Sequence, residues 1–328
     1  MIIPRRLSSL ALALTVFVSG AGFATENISI GTGGTGGVYY PLGGGFASVL
    51  SKHVPGLQAT AEVTGGSVAN LKLIGTGKPY IGFAMVDAAK DASNGEGKFT
   101  DGKIALRTLL VLYPNRMHVV STTNTGVKTM ADLKGKRVSV GDIGSATELM
   151  STRLLDAAKV DVKRERLSVA ESVNALKDRK IDAFMWVGGL PTAAVSDLAN
   201  TPGLTIQMID HAQLVDPMNK AHGNLYYADT IKKEVYKGMT VDNKIASIAN
   251  ILVAPASMSE TTAYNIVKTI LEKREELRQV HASAAEILPE NQKVAATSVP
   301  FHPGALKYFK EKGISVEAAP AKKAAKKN

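Results

Sequence analysis

The chain has 328 residues, of which 45% are hydrophobic and 21% charged, and it contains no cysteine. The length suggests about two domains in an ordinary folded protein, and the missing cysteine excludes disulfides, thiolate metal sites, a cysteine nucleophile and a lipid-modified N-terminal cysteine. The net charge of +10 falls to +4 for residues 25–317 once two arginines near the start and four lysines near the end are set aside, and no basic run is interleaved with aromatic residues, so nucleic-acid binding is not expected.

The first 24 residues have the layout of a secretory signal peptide. MIIPRR is a basic start, LSSLALALTVFV is a short apolar run, and Gly22 and Ala24 occupy the −3 and −1 positions of a cut before Thr25. The apolar run is too short for a membrane span, which needs about 20 such residues. We therefore expect an exported protein, soluble in the periplasm, and keep an uncleaved anchor as the alternative.

Residues 25 to about 90 alternate between strands and helices. We predict strands at Asn27–Ile30, Leu57–Val63 and Tyr80–Met85, and helices at 39–53, at 67–74 and from Asp87 onward. This alternation is typical of parallel βαβ units in an α/β fold.

A second α/β series follows the stretch Leu109–Val120, a double apolar run that is broken at Pro114 and Asn115. The series has predicted strands at 137–141, 182–187 and 245–254, and predicted helices at 145–158, 169–177 and 191–199. Ser257 and Glu260 have capping-box spacing ahead of an apolar stripe at helical period.

These two series predict two lobes joined at two crossings of the chain. Residues 25–116 and 253–317 would form the first lobe, which is discontinuous, and residues 117–252 the second. The remaining stretch, 318–328, is rich in lysine and alanine and poor in large apolar residues, so it is expected to be a disordered tail.

Four predicted strand-to-helix junctions share glycines followed by a small hydroxyl residue or proline. They are GTGGTGGVYYP at 31–41, VTGGSVANL at 63–71, VGDIGSATE at 140–148 and VGGLP at 187–191, two in each lobe. In open parallel sheets, ligands bind beyond the carboxyl ends of the strands, where the first N–H groups of a helix lack internal partners. Four converging junctions would form a cleft lined by N–H donors, which suits a small carboxylate without a dedicated arginine.

Each of these features also has a purely structural interpretation. A glycine loop can be only a turn, Ser145 with Glu148 is a capping box, and Ser67 and Asp87 could be N-caps. Either Tyr39 or Tyr40 could face a ligand, and Trp186 could pack in the core or form a cleft wall.

An enzymatic function finds little support in the sequence. Gly31, Gly33 and Gly36 spell the dinucleotide fingerprint GxGxxG, but the acidic residue expected about 20 positions on is absent, and Glu62 lies too far along. The six histidines show no HExxH spacing and no GxSxG motif is present, so we expect no metal, no cofactor and no catalytic residue.

The motifs resemble the TAXI family of TRAP-transporter solute-binding proteins. GTGGTGGVYYPLGG, TGGSVANL, LKGKRVSVGDIGSATE, KIDAFMWVGGLP and PFHPGALKYFKEKG carry the resemblance, in that order, from about residue 28 to 313. The resemblance implies an α/β, two-lobe type II periplasmic-binding-protein fold that closes on a small carboxylate such as glutamate or 2-oxoglutarate. It also implies delivery of the ligand to a membrane permease driven by an ion gradient, without ATP hydrolysis by this chain.

The resemblance assigns ligand contacts to twelve residues. They are Gly34, Thr35, Gly36, Tyr39, Gly66, Ser67, Asn70, Ser145, Ala146, Thr147, Gly188 and Gly189. The family usually reads GSGTE where this chain reads GSATE, so the methyl group of Ala146 is expected to narrow the pocket or change how closely that backbone approaches. A monomer is the default expectation. An exported enzyme on this scaffold, and presentation of the liganded protein to a membrane sensor, are the alternatives.

Overall fold

The structure is a computed structural model that describes residues 25–78 and 80–317. The predicted signal peptide at 1–24 and the predicted tail at 318–328 lie outside the described residues. None of the helices in residues 25–78 and 80–317 is long and apolar enough to cross a membrane.

The described residues form a mixed α/β fold. The strands are β1 (Glu26–Gly31), β2 (Leu57–Glu62), β3 (Tyr80–Met85), β4 (Leu106–Thr122), β5 (Arg137–Ser139), β6 (Lys163–Glu165), β7 (Ala183–Gly188), β8 (Ile206–Met208), β9 (Tyr226–Ile231) and β10 (Asn243–Pro255). The helices are α1 (Tyr39–His53), α2 (Ser67–Gly75), α3 (Val86–Asn94), α4 (Ala146–Ala158), α5 (Val169–Lys177), α6 (Ala193–Ala199), α7 (Val215–His222), α8 (Glu260–Glu272), α9 (Arg274–Arg278) and α10 (Pro303–Glu311).

The strands are hydrogen-bonded in the order β2-β1-β3-β10-β4-β7-β5-β6, with β8 paired to β4 and β9 paired to β10. β1 runs parallel to β2 and β3, and β5 runs parallel to β6 and β7. The first of these parallel groups consists of the three strands predicted in residues 25 to about 90. The second contains two of the strands predicted for the second series, β5 and β7, whereas the third, at 245–254, is the antiparallel strand β10. Between them lie the long antiparallel strands β4 and β10, so each group reaches the other through these two strands.

Helix α1 shows how apolar spacing fixes the packing. Leu42, Phe46, Val49 and Leu50 recur at helical period, and all four are buried against the sheet and α8. Burial of each such side chain contributes roughly 1.5–3 kcal/mol. This stripe holds the start of α1, and therefore Tyr39, in a fixed position above the ends of β1 and β3.

Strand β4 continues through Pro114 and Asn115, where the apolar run in the sequence is interrupted. Proline has no N–H to donate and is tolerated in a strand only where that group needs no partner. Pro114 pairs with Ala249 of β10, next to an irregularity in the register of that strand, and the pairing of β4 with β7 starts only at Arg116. The chain therefore keeps its extended conformation where the apolar pattern is broken.

The predicted capping box of Ser257 and Glu260 is wrong. Helix α8 begins at Glu260, and its N-cap is Ser259, whose Oγ accepts a hydrogen bond from the N–H of Thr262 at 3.0 Å. Ser257 has the capping-box spacing to Glu260, but it lies two residues before the N-cap Ser259 and outside the first turn of the helix.

Candidate functional site

One cavity lies where the beginnings of four helices meet. Its lining comes from the loop before α1, the start of α2, the loop and first turn of α4, the start of α5, and the ends of β3 and β7. The cavity has a volume of about 50 Å³. One buried water needs roughly 10–15 Å³ of such a cavity, so the cavity holds a few waters or a small organic molecule.

Backbone N–H groups are the main polar feature of this cavity. No acceptor among the described residues receives a hydrogen bond from the N–H groups of Ser67, Val68, Ala146 or Thr147, which are the first groups of α2 and α4. The first N–H groups of a helix lack intrahelical partners, and the helix dipole adds partial positive charge there. The two helix beginnings therefore favour an anionic group between them.

Two glycines allow the backbone to approach the cavity closely. Gly66, which precedes α2, has φ of 105°, a conformation that side chains disfavour. A Cβ on Gly37 would lie 2.8 Å from the Trp186 ring, so only glycine leaves room for that indole. A side chain at Gly66 would strain the backbone, and one at Gly37 would displace the Trp186 wall of the cavity.

Two aromatic residues form walls of the cavity and are held by contacts outside it. The ring of Tyr39 stacks on Phe83 with centroids 4.9 Å apart, and its hydroxyl accepts a hydrogen bond from Asn115 Nδ2 at 2.9 Å. Burial raises the pKa of Tyr39 to about 12, so the phenol stays neutral. Trp186 Nε1 donates to Thr192 Oγ1 at 2.9 Å, which fixes the orientation of the indole.

Asp142 is the only charged side chain among the described residues that line the cavity. Its Oδ1 accepts a hydrogen bond from the N–H of Ile143 at 2.7 Å. Partial burial raises the pKa of Asp142, and the nearby carboxylates of Glu171 and Glu148 raise it further.

Arg116 and Arg137 form ion pairs away from the cavity. Arg116 donates to Asp229 at 2.9 Å and to both carboxylate oxygens of Glu286, and Arg137 pairs with Asp182 at 2.8 Å. Neither arginine lines the cavity.

The structure places eight of the twelve assigned residues at the lining of this one cavity. They are Gly34, Tyr39, Gly66, Ser67, Ser145, Ala146, Thr147 and Gly188. Ser145 is also the N-cap of α4, since its Oγ accepts from the N–H of Glu148 at 3.1 Å. Ser67 is not a cap; its Oγ accepts from the N–H of Met85 at 3.2 Å, which ties α2 to the end of β3.

Three of the remaining assigned residues lie beside the cavity, and none of them lines it. Thr35 is exposed to solvent. Gly36 packs against α5 and α6, with its carbonyl accepting from the N–H of Ala194 at 3.3 Å. Gly189 packs against Tyr113 and the Ser283 hydroxyl, where a Cβ would lie 2.4 Å from Ser283 Oγ.

The fourth, Asn70, is buried beneath the loops that line the cavity. Its Nδ2 donates to the carbonyls of Thr32 and Phe83 at 2.7 and 2.8 Å, and its Oδ1 accepts from the Thr64 hydroxyl at 2.6 Å. Asn70 therefore ties together the ends of β1 and β3 and the loop after β2, and it positions the residues that line the cavity.

Sequence reasoning did not select Ser168, Val169, Met85 or Asp142, all of which line the cavity. A signal for the first two was present, because Ser168 and Glu171 form a complete capping box at the start of α5. Asp142 lies inside the motif VGDIGSATE but was not singled out from it.

The two parallel groups of strands touch each other around the cavity through their loops and helices. The N–H of Ala69 at the start of α2 donates to the carbonyl of Gly144 at 3.1 Å. Arg153 of α4 donates to Asp91 of α3 at 2.8 Å and lies 3.5 Å from Asp87. In the part of the chain that the structure covers, no group of three His, Asp or Glu side chains is placed to hold a metal ion.

Comparisons with known proteins show a family and a fold. A family model described as the NMT1-like family matches residues 30–313. The fold is similar to that of the periplasmic binding protein BugD (13% identity, TM-score 0.54, covering 89% of this chain and 99% of that one). It is also similar to a protein from Bordetella bronchiseptica RB50 (17%, 0.54, 88% and 98%) and to a periplasmic transporter (12%, 0.53, 87% and 92%). At these identities the likeness concerns the fold, and the predicted two-lobe periplasmic-binding-protein fold is confirmed.

Proposed function

Because the chain belongs to the NMT1-like family, we propose that it is a periplasmic solute-binding protein, and specifically the TAXI-type subunit of a TRAP transporter. It captures a small carboxylate between two lobes and delivers it to a membrane permease driven by an ion gradient. The observation that carries the proposal is the meeting of unpaired N–H groups from α2 and α4 at one cavity. These helices belong to different parallel groups of the sheet.

The TAXI assignment is supported by the identity of the residues at this cavity. The motifs GTGGTGG, TGGS, GSATE and the Trp186–Gly188 segment carry the resemblance, and each of them contributes lining residues. The methyl group of Ala146 replaces the glycine hydrogen usual in that family at a buried position of the lining.

We propose that the lobes are residues 25–116 with 253–317, and residues 117–252. Strands β4 and β10 are the two segments that pass from one parallel group to the other, and Pro114 and Ala249 pair at the crossing. A hinge at a few backbone positions in two strands can carry the rotation that opens and closes a cleft. Ligand contacts formed in both lobes would then favour the closed state.

The chemistry of the cavity favours binding without turnover. Its polar groups are backbone N–H donors, the single carboxylate of Asp142, the indole N–H of Trp186, and hydroxyls that already have hydrogen-bond partners. These hydroxyls belong to Tyr39, Ser67, Ser145, Thr147 and Ser168. The leader supports a periplasmic location, and we propose that the protein works there as a monomer without a cofactor.

A thermal-shift screen of the purified protein tests the binding role. Small carboxylates should raise the melting temperature in a saturable way, because a ligand that binds only the native state stabilises it. Amines and sugars without a carboxylate serve as controls and should leave the melting temperature unchanged. Conversion of a carboxylate to a product, or no stabilisation by any carboxylate, would contradict the proposal. Loss of carboxylate uptake in a deletion strain would support delivery to a permease over presentation to a sensor.

A further inference from the structure

We propose that the ligand is an aliphatic amino acid of about valine or leucine size, with its carboxylate at the beginnings of α2 and α4, its ammonium facing Asp142, and its side chain against the apolar wall. This inference rests on the proposed function and narrows the small carboxylates to one class. It departs from glutamate and 2-oxoglutarate, which the resemblance implies.

The beginnings of α2 and α4 form a region of the cavity that favours an anion. The free N–H groups of Ser67, Val68, Ala146 and Thr147 belong to two helix beginnings that lie against each other, since Ala69 donates to Gly144 across the cleft. Lysine, arginine and histidine are absent from the described lining residues. A second carboxylate on the ligand would therefore find no cation.

Asp142 has no positively charged partner among the described residues. It forms no ion pair there, whereas its acidic neighbour Glu148 is held by Arg166 at 2.6 Å and lies 3.8 Å from Lys98. The other acidic neighbour, Glu171, accepts from the N–H and hydroxyl of Ser168 in its capping box. The raised pKa of Asp142 reflects the same imbalance, because partial burial and two carboxylates act on it without an opposing cation. An ammonium group on the ligand would supply the missing charge, and a second carboxylate would add to the repulsion.

Most of the remaining lining surface is apolar, and the cavity is small. Val38, Met85, Val169 and Val187 are buried residues that line the cavity, and Trp186 forms a wall beside them. With a volume of about 50 Å³, the cavity suits a short aliphatic side chain. Burial of such a side chain is favourable, while a polar one would lose its hydration next to hydroxyls that already have hydrogen-bond partners.

Isothermal titration calorimetry on the full exported protein distinguishes these ligand classes. The titrants are L-valine, L-leucine, L-glutamate, 2-oxoglutarate, and 3-methyl-2-oxobutanoate, which matches valine but lacks the ammonium. We expect L-valine or L-leucine to bind at least ten-fold more tightly than the two dicarboxylates and than the oxoacid. This comparison uses the unmodified chain and does not depend on the folding of any variant.

The substitution Asp142→Asn tests the role of the carboxylate directly. It should weaken the amino acid at least ten-fold and change the affinity of 3-methyl-2-oxobutanoate by less than three-fold. Asp101→Asn removes the same charge at an exposed position and should change neither. Tightest binding of glutamate or 2-oxoglutarate, or unchanged valine affinity in Asp142→Asn, would overturn the inference and leave the proposed function standing. Failure of every carboxylate to bind would overturn both.

Discussion

Gly36 lies at the point where the loop before α1 meets the second parallel group. A Cβ there would lie 3.1 Å from Ala170 Cβ and 3.3 Å from Ala194 Cβ. The backbone of Gly36 is not left-handed, so a larger residue there would not strain the backbone. It would only push the loop before α1 away from helices α5 and α6.

The substitution Gly36→Val should therefore impair closure more than folding. We expect ligand affinity to fall at least ten-fold, while the melting temperature of the unliganded protein changes by only a few degrees. Gly44→Val is the matched control, because a Cβ on Gly44 meets nothing within 4 Å. Calorimetry measures the affinity and thermal melting measures the stability. Undiminished affinity in Gly36→Val would show that contact of this loop with α5 and α6 is not needed for ligand binding.

The charge of Arg137 should not contribute to ligand binding. Its guanidinium pairs with Asp182 and lies outside the cavity. Arg137→Ala should leave the affinity for the best carboxylate within a few fold, as measured by calorimetry. A loss of more than about thirty-fold, equivalent to about 2 kcal/mol, would show that this arginine is the counter-ion.

At the residue scale, the sequence predicted which loops form the cavity better than it predicted the contacts that individual loop residues make. Glycine motifs predicted close backbone approach, and eight assigned residues line the cavity. The positions of Asn70 and Gly189 depend on partners such as Phe83 and Ser283, which are distant in sequence and follow only from the packing of whole elements.

At the scale of elements, α3 and α4 are joined by a buried charged cluster. Arg153 of α4 pairs with Asp91 and approaches Asp87, and the Tyr226 hydroxyl donates to Asp87 at 3.0 Å. Burial raises the pKa of Asp87 to about 6, although the positive charge of Arg153 opposes the shift. Asp87 therefore binds a proton more readily in the folded protein than in the unfolded chain.

This raised pKa predicts a pH-dependent effect of Asp87→Asn. The contribution of Asp87 to stability is fully present below its unfolded pKa of 3.8 and is lost as the pH rises through about 6. The melting temperature of Asp87→Asn relative to wild type should thus become more favourable between pH 4 and pH 7. The melting temperatures of the variant and the wild type must be compared at each pH. This is because the pKa values of His118 and His211 are lowered to about 4, which makes both proteins more stable as the pH rises through the same range. A difference that is constant with pH would contradict the assignment.

Elements with strong apolar patterns were predicted close to their observed bounds. The helices at 39–53 and 169–177 agree with α1 and α5 at both ends. β6 was not predicted, because its residues Lys163–Glu165 are exposed and carry no apolar signal. The continuity of β4 through Pro114 depends on β10 and β7, so local sequence could not reveal it.

At the scale of the whole molecule, a ligand should make the protein more compact. The contacts across the cleft, including Ala69 to Gly144 and Arg153 to Asp91, join the two parallel groups in the observed arrangement. If ligand binding favours this arrangement, small-angle X-ray scattering should show a smaller radius of gyration with saturating ligand than without it. Identical scattering curves in both conditions would contradict the closing motion.

The crystal structure of the complex with the tightest-binding carboxylate tests the central claim most directly. The account predicts that the ligand carboxylate lies within about 3.2 Å of backbone nitrogens from both α2 and α4, among those of Ser67, Val68, Ala146 and Thr147. A carboxylate held by an arginine or lysine side chain, or bound by the loops of only one parallel group, would contradict it.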